Sequence, residues 1–328
     1  MSETISEQEV SMPVHQLDRK DTVVIAEAAE RLVQAGGGLI DEPRWVEAAR
    51  SEWEGMPRSF RVAIRDFRRD SGLAGALIVR GLPLGPEALA RTPEAYGSVQ
   101  RQATVSAACL VLTACGLGDP VAFEAEKCGA LVQDVVPVRG QEDFQGNAGS
   151  VDLKFHNENA FHPHRPDYVL LLCLRSDHEC VAGLRAGSIR AALPLLSGDV
   201  AMALRSDEFS TLAPPSFGAA TGQTSVHPVL SGSLDDPDIR VDFAATRAFS
   251  SRAEQALAEL SAALERTART VVLRPGDLAI IDNRVSVHGR TAFRPRYDGL
   301  DRWLQRSYST ADIRRSRERR PADGYVMS

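Results

Sequence analysis

Residues 271–281 read VVLRPGDLAII, two short apolar runs on either side of the tetrapeptide Arg274-Pro275-Gly276-Asp277. Proline presets φ and glycine accepts a positive φ, so the tetrapeptide predicts a tight turn between two strands. Similar short apolar runs occur at residues 76–79, 131–138, 168–174, 239–242 and 303–308. Many short strands separated by turn signals predict a sandwich or jelly roll.

The first third of the chain has a different, helical pattern. Apolar residues recur at near-helical spacing in residues 21–35, 42–53 and 57–67, and residues 96–115 resemble a long, largely buried helix. One more helix is predicted within the strand-rich part, at residues 252–266.

These patterns predict a mainly β fold with helical elaborations around a jelly-roll core. We expect residues 1–20 to be a flexible N-terminus and residues 21–328 to form a single compound domain. Within that domain, a helical part (21–118) would pack against the jelly-roll core (about 119–312).

The composition excludes several classes of function. The chain has 328 residues, 43% of them hydrophobic and 25% charged, as in an ordinary globular protein. Its net charge of −6 argues against a broad nucleic-acid-binding surface, and the basic run at residues 314–320 is expected to be a solvated tail or helix. A homo-oligomer is compatible with this composition.

Location is predicted from three further features. No stretch approaches the ~18 apolar residues that a membrane span needs. The polar, acidic N-terminus does not resemble a signal peptide. The five cysteines form no CxxC pair, and an odd number of cysteines predicts reduced thiols in the cytoplasm.

A histidine-rich segment, residues 156–164 (HNENAFHPH), contains a candidate metal site. His156 and Glu158 can lie on one side of an extended strand, because side chains alternate with a period of two. Together with the distant His288 they would form a facial triad, which leaves coordination positions open and is typical of non-haem iron(II). The motif alone is weak evidence, since seven histidines and 44 acidic residues give about one His-x-Asp/Glu by chance.

The surroundings of His288 strengthen the prediction of an iron site. A turn and an apolar strand precede His288 and would deliver it to the mouth of a barrel. Arg302 follows it by fourteen residues, and its planar, permanently charged fork suits the distal carboxylate of 2-oxoglutarate. Arg306 lies on the same face if this segment is a strand. Alternatively, both arginines are surface residues that flank a buried Trp303.

These segments resemble a known family. Residues 155–179 (FHNENAFHPHRPDYVLLLCLRSDHE) and 276–308 (GDLAIIDNRVSVHGRTAFRPRYDGLDRWLQRSY) are similar to the two metal-ligand regions of the clavaminate synthase-like iron(II)- and 2-oxoglutarate-dependent oxygenases. This family includes hydroxylases of arginine, asparagine and lysine. The resemblance extends over about residues 120–310 and is weaker before them.

The resemblance implies a double-stranded β-helix core and a set of site residues. It implies iron(II) ligation by His156, Glu158 and His288, 2-oxoglutarate binding by Arg302, and binding of the substrate α-carboxylate by Arg306. The implied reaction consumes 2-oxoglutarate and O₂, releases succinate and CO₂, and hydroxylates an unactivated C–H bond of a free L-amino acid. Related halogenases lack the carboxylate so that chloride can bind iron, and Glu158 therefore indicates hydroxylation.

Some positions depart from the family pattern. Asn157 stands where relatives usually have threonine, and Leu184 stands where clavaminate synthase has a threonine that helps to hold 2-oxoglutarate. Of the two acidic residues that grip the guanidinium in arginine hydroxylases, Asp242 aligns with one and Ala244 replaces the other. With Glu126 expected at the far end of the substrate, we predict a basic or polar amino acid of the lysine, arginine, ornithine or citrulline type.

Three alternatives stay open at this point. The enzyme could catalyse an oxidative cyclisation or desaturation of an amino-acid-derived intermediate, as clavaminate synthase does. It could be a cupin-like binding protein without turnover. Finally, His156, His162 and His164 could form a zinc site for hydrolysis.

Overall fold

The computed structural model describes residues 11–85, 89–214, 217 and 225–328. The helices are α1 (Arg19–Gln34), α2 (Pro43–Glu54), α3 (Arg58–Arg69), α4 (Val105–Leu117), α5 (Ile189–Ala192), α6 (Gly198–Ala203) and α7 (Ser251–Thr267). Short 3-10 helices occupy Ala35–Gly38, Lys127–Gly129, Leu193–Leu195, Ile313–Arg319 and Pro321–Asp323.

The strands are short, as predicted. They are β1 (Val14–Gln16), β2 (Ala76–Arg80), β3 (Asp119–Phe123), β4 (Gln133–Val135), β5 (Leu153–His156), β6 (Tyr168–Arg175), β7 (Gly183–Ser188), β8 (Phe209–Thr211), β9 (Leu230–Gly232), β10 (Pro237–Ile239), β11 (Thr246–Ala248), β12 (Arg269–Val272), β13 (Leu278–Asp282), β14 (Ser286–Arg290), β15 (Trp303–Thr310) and β16 (Val326–Met327).

Two sheets form the jelly-roll core. The larger sheet has the strand order β1-β2-β13-β6-β15-β3-β16, with β4 also paired to β15. The smaller sheet has the order β12-β7-β14-β5 and is antiparallel. The predicted fold class, a mainly β jelly roll with helical elaborations, is confirmed by these sheets.

Alternation along the central strands explains how the layers pack. On β6 and β13, Leu170 and Ile280 belong to the hydrophobic cluster formed with helices α1 to α4. Their neighbours Leu171 and Ile281 face the other way and share a cluster with Leu184 of the smaller sheet. Both faces of the larger sheet are therefore covered, which is why its strands are almost continuously apolar.

The smaller sheet is covered on its outer face by α7. Phe155 of β5 and Val287 of β14 pack in one cluster with Leu260 and Leu264 of this helix. Because side chains alternate along a strand, the neighbouring His156 and His288 lie on the opposite face, toward the larger sheet. The outer apolar residues thus fix the inward orientation of the two histidines.

The turn at residues 274–277 forms as predicted. The backbone N–H of Asp277 donates to the carbonyl oxygen of Arg274 at 2.8 Å. Gly276 has a φ of +86°, and a Cβ at this position would lie 2.9 Å from the carbonyl oxygen of Leu82. Glycine is therefore required both by the backbone conformation and by the close approach of a neighbouring segment.

One predicted helix is shorter than expected. Residues 96–115 were predicted to be helical, but α4 begins at Val105 because the hydroxyl of Thr104 accepts from the backbone N–H of Ala107 and caps the helix. The preceding polar residues bond to other segments, with the N–H of Gln100 donating to Val132. Competition from these tertiary hydrogen bonds overrides the helical spacing.

The predicted N-terminal boundary also differs. Residues 1–10 lie outside the described residues, but β1 pairs with β2 in parallel and Met12 is buried. The sequence-based boundary at residue 20 is therefore too late. At the other end, Arg320 of the basic run is buried and donates to the carbonyl oxygens of Ile313 and Gly324, unlike a solvated tail.

Two general expectations concern thiols and membranes. All five cysteines are free thiols. None of the helices in the described part of the chain has both the length and the hydrophobicity to span a lipid bilayer.

Candidate metal centre and substrate pocket

His156 and His288 are brought together by strand pairing. β5 and β14 are antiparallel neighbours, and the two histidines lie directly opposite each other in the register. Their ring centroids are 4.4 Å apart. The sequence-based expectation that a distant strand would deliver His288 to the His-x-Glu segment agrees with this geometry.

Glu158 lies just beyond the strand, where the chain turns. β5 ends at His156, and Asn159 has a φ of +51°. The side chain of Asn283 holds the turn, since its Oδ1 accepts from the N–H of Glu158 at 2.8 Å and its Nδ2 donates to the carbonyl oxygen of Glu158 at 3.0 Å. The prediction that one extended strand carries both His156 and Glu158 is thus only partly correct, because the strand ends between them.

The three side chains form one cluster of ligand atoms. One nitrogen from each histidine and one oxygen of Glu158 all lie within 4.8 Å of one another. Nδ1 of His156 lies 2.9 Å from the carbonyl oxygen of Lys154, a contact that favours a proton on Nδ1 and leaves Nε2 free to ligate. Two imidazoles and one carboxylate are the donor set that suits non-haem iron(II), so these residues fit that metal.

The electrostatics keep these groups in the forms that bind metals. Burial, helped by the neighbouring His156, lowers the pKa of His288 to about 3, so its imidazole is neutral at pH 7. Burial opposes ionisation of Glu158, but the charge of Arg306 is the main effect that offsets it, and the pKa of Glu158 lies below its ordinary value. Neutral imidazole and ionised carboxylate are both required for metal ligation.

Arg306 is almost fully buried beside the cluster, with 2% of its surface exposed. Its guanidinium donates to Oε1 of Glu158 at 2.9 Å, to Oε1 of Glu126 at 2.5 Å and to Oε1 of Gln133. The hydroxyl of Tyr308 also donates to Glu126, at 3.1 Å from each carboxylate oxygen. Arg306 therefore balances the buried carboxylate of Glu158 and the partly buried carboxylate of Glu126. Sequence reasoning did not foresee this link.

Arg302 is also buried, with 6% of its surface exposed, but its surroundings are different. Within the described residues its side chain has neither an ion pair nor a hydrogen bond, and its guanidinium carbon lies 5.8 Å from the ring centroid of Phe293. The alternative of a surface arginine is excluded. A buried guanidinium without a counter-ion fits a site for a carboxylate ligand, because an unpaired buried charge is costly.

A cavity of about 340 Å³ opens onto the metal cluster. His156, Glu158, Glu126 and Asp242 line it, whereas His288, Arg302 and Arg306 are buried and are not part of its wall. Amide side chains contribute as well, and Asn147 is one that sequence reasoning missed because no motif surrounds it.

Asp242 is held in this wall beside the metal cluster. It forms an isolated bridge with His156, and its Oδ1 accepts from the backbone N–H of Ala244 at 2.8 Å. Its other carboxylate oxygen has no hydrogen bond within the described part of the chain. Ala244 also lines the cavity, so the second acidic position of the arginine hydroxylases presents only a methyl group here.

His162 and His164 lie elsewhere, in an aromatic cluster. The ring of His162 is 4.9 Å from that of Phe123 and 6.0 Å from that of Phe161, and its Nδ1 accepts from the backbone N–H of His164. Among the described residues, neither histidine belongs to a group of three side chains that could hold a metal ion. The alternative zinc site of His156, His162 and His164 is therefore not supported by the geometry.

We expect the variant His162→Phe to lose less stability in mild acid than the unmodified protein. Burial and the neighbouring His164 lower the pKa of His162 from 6.5 to about 4. Between about pH 6.5 and pH 4, the imidazole of His162 is protonated in the unfolded chain but neutral in the folded chain. The free energy of unfolding therefore falls as the pH is lowered through this window. Phenylalanine keeps the aromatic contacts without this proton. Urea unfolding at neutral pH and near pH 4 measures the difference, and equal losses in both proteins would contradict the prediction.

The amino-acid sequence is similar to those of known oxygenases. A model of the taurine catabolism dioxygenase TauD, TfdA family matches residues 227–308. L-asparagine oxygenase from Streptomyces coelicolor is 56% identical over 311 residues, which cover 95% of this chain and 93% of the relative. Clavaminate synthase 2 from Streptomyces clavuligerus is 33% identical over 280 residues, which cover 84% of each chain.

Solved structures give the same result. Asparagine oxygenase in complex with Fe(II), 2S,3S-3-hydroxyasparagine and succinate has a TM-score of 0.93 and 55% identity, covering 96% of this chain and 98% of that one. The non-heme iron oxygenase OrfP in complex with Fe and alpha-ketoglutaric acid has a TM-score of 0.88 and 29% identity, covering 97% and 100%.

The fold, the metal-ligand cluster and these likenesses agree with one another. The cofactors expected from the sequence, iron(II), 2-oxoglutarate and O₂, are confirmed, as is the class of enzyme. The chain belongs to the clavaminate synthase-like iron(II)- and 2-oxoglutarate-dependent oxygenases and is an amino acid hydroxylase.

Proposed function

We propose that this enzyme hydroxylates free L-asparagine, or a closely similar amino acid with an uncharged side-chain amide, at C3. The observation that carries the proposal is the 56% identity to an L-asparagine oxygenase along 95% of the chain. The solved complex of asparagine oxygenase contains 3-hydroxyasparagine, which suggests the carbon that is attacked.

The charges of the pocket support a neutral side chain. Glu126 already receives hydrogen bonds from Arg306 and Tyr308, so its charge is balanced within the protein. Asp242 is then the carboxylate available to a ligand, with Ala244 at the second position. A cationic side chain would need counter-charges in this pocket, whereas an amide N–H needs only one acceptor. The basic substrate expected from the sequence is therefore the competing candidate.

We further propose the roles of the individual residues. His156, Glu158 and His288 would hold iron(II), and Arg302 would bind the distal carboxylate of 2-oxoglutarate. When bound, iron, 2-oxoglutarate and O₂ together would supply the oxidant that attacks an unactivated C–H bond. This chain's own residues would aim that bond.

Two residues would fix the substrate at its two ends. Arg306 would bind the α-carboxylate and Asp242 would accept a hydrogen bond from the side-chain amide. Holding both ends would present the carbon between them to the metal site, which is how an enzyme converts binding into positioning. Because Arg306 also bonds to Glu158, the substrate and metal sites would be directly connected.

The proposed substrate is tested with a panel of amino acids. L-Asparagine, L-aspartate, L-glutamine, L-lysine, L-arginine and D-asparagine are each incubated with iron(II), ascorbate and 2-oxoglutarate. We expect L-asparagine to give the highest kcat/KM and a product that has gained one oxygen atom, with one succinate per product. A preference for lysine or arginine would contradict the proposal and favour the basic substrate. A product that has lost hydrogen without gaining oxygen would favour desaturation or cyclisation.

We expect Asp242→Asn to lower kcat/KM for L-asparagine by at least about tenfold. The substitution replaces a charged acceptor, and hydrogen bonds to charged groups contribute roughly 1.5–3 kcal/mol. The KM for 2-oxoglutarate should not change, because the residue faces the substrate. Asp235→Asn, at an exposed position, is the matched control. An unchanged KM for L-asparagine in Asp242→Asn would remove this residue from the substrate site.

A further inference from the structure

A second arginine is buried close to Arg302. Arg290, at the end of β14, has 4% of its surface exposed, and its Nε has no hydrogen-bond partner in the described part of the chain. Its terminal nitrogen donates to the carbonyl oxygen of Val151 at 3.0 Å. We propose that Arg290 binds the distal carboxylate of 2-oxoglutarate together with Arg302. This inference rests on the proposed role of Arg302.

The strand register places Arg290 where a second residue that binds the distal carboxylate would be needed. Arg290 follows His288 by two positions in β14, so both side chains lie on the inner face of the smaller sheet. Directly across the strand pair, Arg290 faces Leu184 of β7. The resemblance to clavaminate synthase puts a cosubstrate-binding threonine at the position of Leu184. The arginine therefore stands directly opposite the position at which that hydroxyl is missing.

The distance along the strand matches the size of the cosubstrate. Two residues of an antiparallel strand span roughly 7 Å, which is the distance along β14 between His288 and Arg290. The carbon chain of 2-oxoglutarate has four bonds of about 1.5 Å each, and its zigzag spans roughly 5 Å when extended. A molecule that chelates iron beside His288 at one end would therefore bring its other carboxylate to the level of Arg290.

The charge balance also favours an anion at this place. The guanidinium carbons of Arg290 and Arg302 lie 5.1 and 5.8 Å from the ring centroid of Phe293, so both cations are near the same ring. Within the described residues neither arginine forms an ion pair. Two carboxylates act on these arginines from further away, Asp152 on Arg290 and Asp177 on Arg302. Asp152 is exposed and pairs with Arg185. Asp177 accepts hydrogen bonds from the backbone N–H groups of residues 179, 181 and 182.

Two buried guanidinium groups without a counter-ion are unfavourable in the free protein. A carboxylate that accepts hydrogen bonds from both would satisfy them at once. Arg290 would then do what the missing threonine hydroxyl does in clavaminate synthase, and with a charged donor.

The test measures binding and does not depend on turnover. Dissociation constants for 2-oxoglutarate and 2-oxopentanoate are determined by calorimetry on the full chain loaded with manganese(II). The two ligands have the same length and the same chelating end, and differ only in that a methyl group replaces the distal carboxylate. The ratio of the two constants therefore reports contacts to that carboxylate alone.

We expect the preference for 2-oxoglutarate to fall at least about tenfold in Arg290→Met, the effect of losing one charge-assisted hydrogen bond. Arg302→Met should reduce it by a similar or larger factor. Arg185→Met is the matched control and should leave it unchanged, since Arg185 neighbours Leu184 but pairs with Glu265.

The outcomes separate the inference from the proposed function. If Arg290→Met weakens both ligands equally, or neither, while Arg302→Met removes the preference, Arg290 only packs and the inference is wrong. If Arg302→Met also leaves the preference unchanged, the proposed cosubstrate site itself is wrong. Should Arg290→Met fail to fold, Arg290→Lys carries the test. Lysine keeps the charge but lacks the fork, so a several-fold loss of preference is expected and an unchanged preference would overturn the inference.

Discussion

Replacing Glu158 with alanine is expected to abolish hydroxylation and to remove most of the affinity for iron(II). The substitution would take away one of three proposed ligands. Loss of a residue that merely supports a ligand already costs roughly 10–100-fold in metal affinity or activity, so loss of a ligand should cost more. It would also leave Arg306 with one carboxylate fewer, which adds a cost in stability.

Equilibrium dialysis against iron(II) and single-turnover formation of succinate measure the two effects separately. Glu124→Ala is the matched control, because Glu124 is exposed and lies only two residues from Glu126. It should bind iron(II) and turn over like the unmodified enzyme. Full iron content and normal succinate formation in Glu158→Ala would show that this carboxylate is not a ligand.

Arg306→Met is expected to have the second largest effect, on stability as well as on activity. Arg306 is the cation that balances Glu126 and Glu158 inside the protein. Removing one partner of a buried ion pair typically costs about 3–5 kcal/mol, because the other charge remains without compensation. If Arg306 also binds the substrate, the KM for the amino acid should rise at least about tenfold.

A double variant distinguishes the two roles of Arg306. Arg306→Met with Glu126→Gln removes one of the stranded charges, so part of the lost stability should return. The KM for the substrate should stay high, because the proposed carboxylate-binding group is still missing. Urea unfolding and steady-state kinetics on both variants provide the comparison. Recovery of KM together with stability would mean that Arg306 acts only through folding.

Much of the fold could be predicted from local patterns. The turn at Gly276 and the strands around it depend on residues that are adjacent in the sequence, and they form as expected. The start of α4 could not be predicted in this way. It depends on bonds to segments such as Val132, whose proximity only the tertiary structure establishes.

The residues of the candidate site also differ in how far local sequence predicts them. His156 and Glu158 are recognisable because they are two positions apart, and His288 because a strong strand precedes it. The bonding of Glu126 to Arg306 is different, since 180 positions separate these residues and no local motif connects them. Neither Asn147 nor Gln133 could be anticipated for the same reason. A cytoplasmic location, a homo-oligomer and the absence of nucleic-acid binding stay predictions.

The pairing of β5 with β14 has a consequence for the metal-free protein. Within the described residues, β5 has four residues and pairs with β14 at the edge of the smaller sheet. On its other side it is bonded to a loop, through the bridge between His156 and Asp242 and the hydrogen bond from the N–H of Phe243 to Phe155. A metal ion bound to His156 on one strand and His288 on the other would crosslink the two and fasten this edge. Loss of the ion would therefore weaken the pairing of these two strands at the site, while the helix-covered sheet kept its packing.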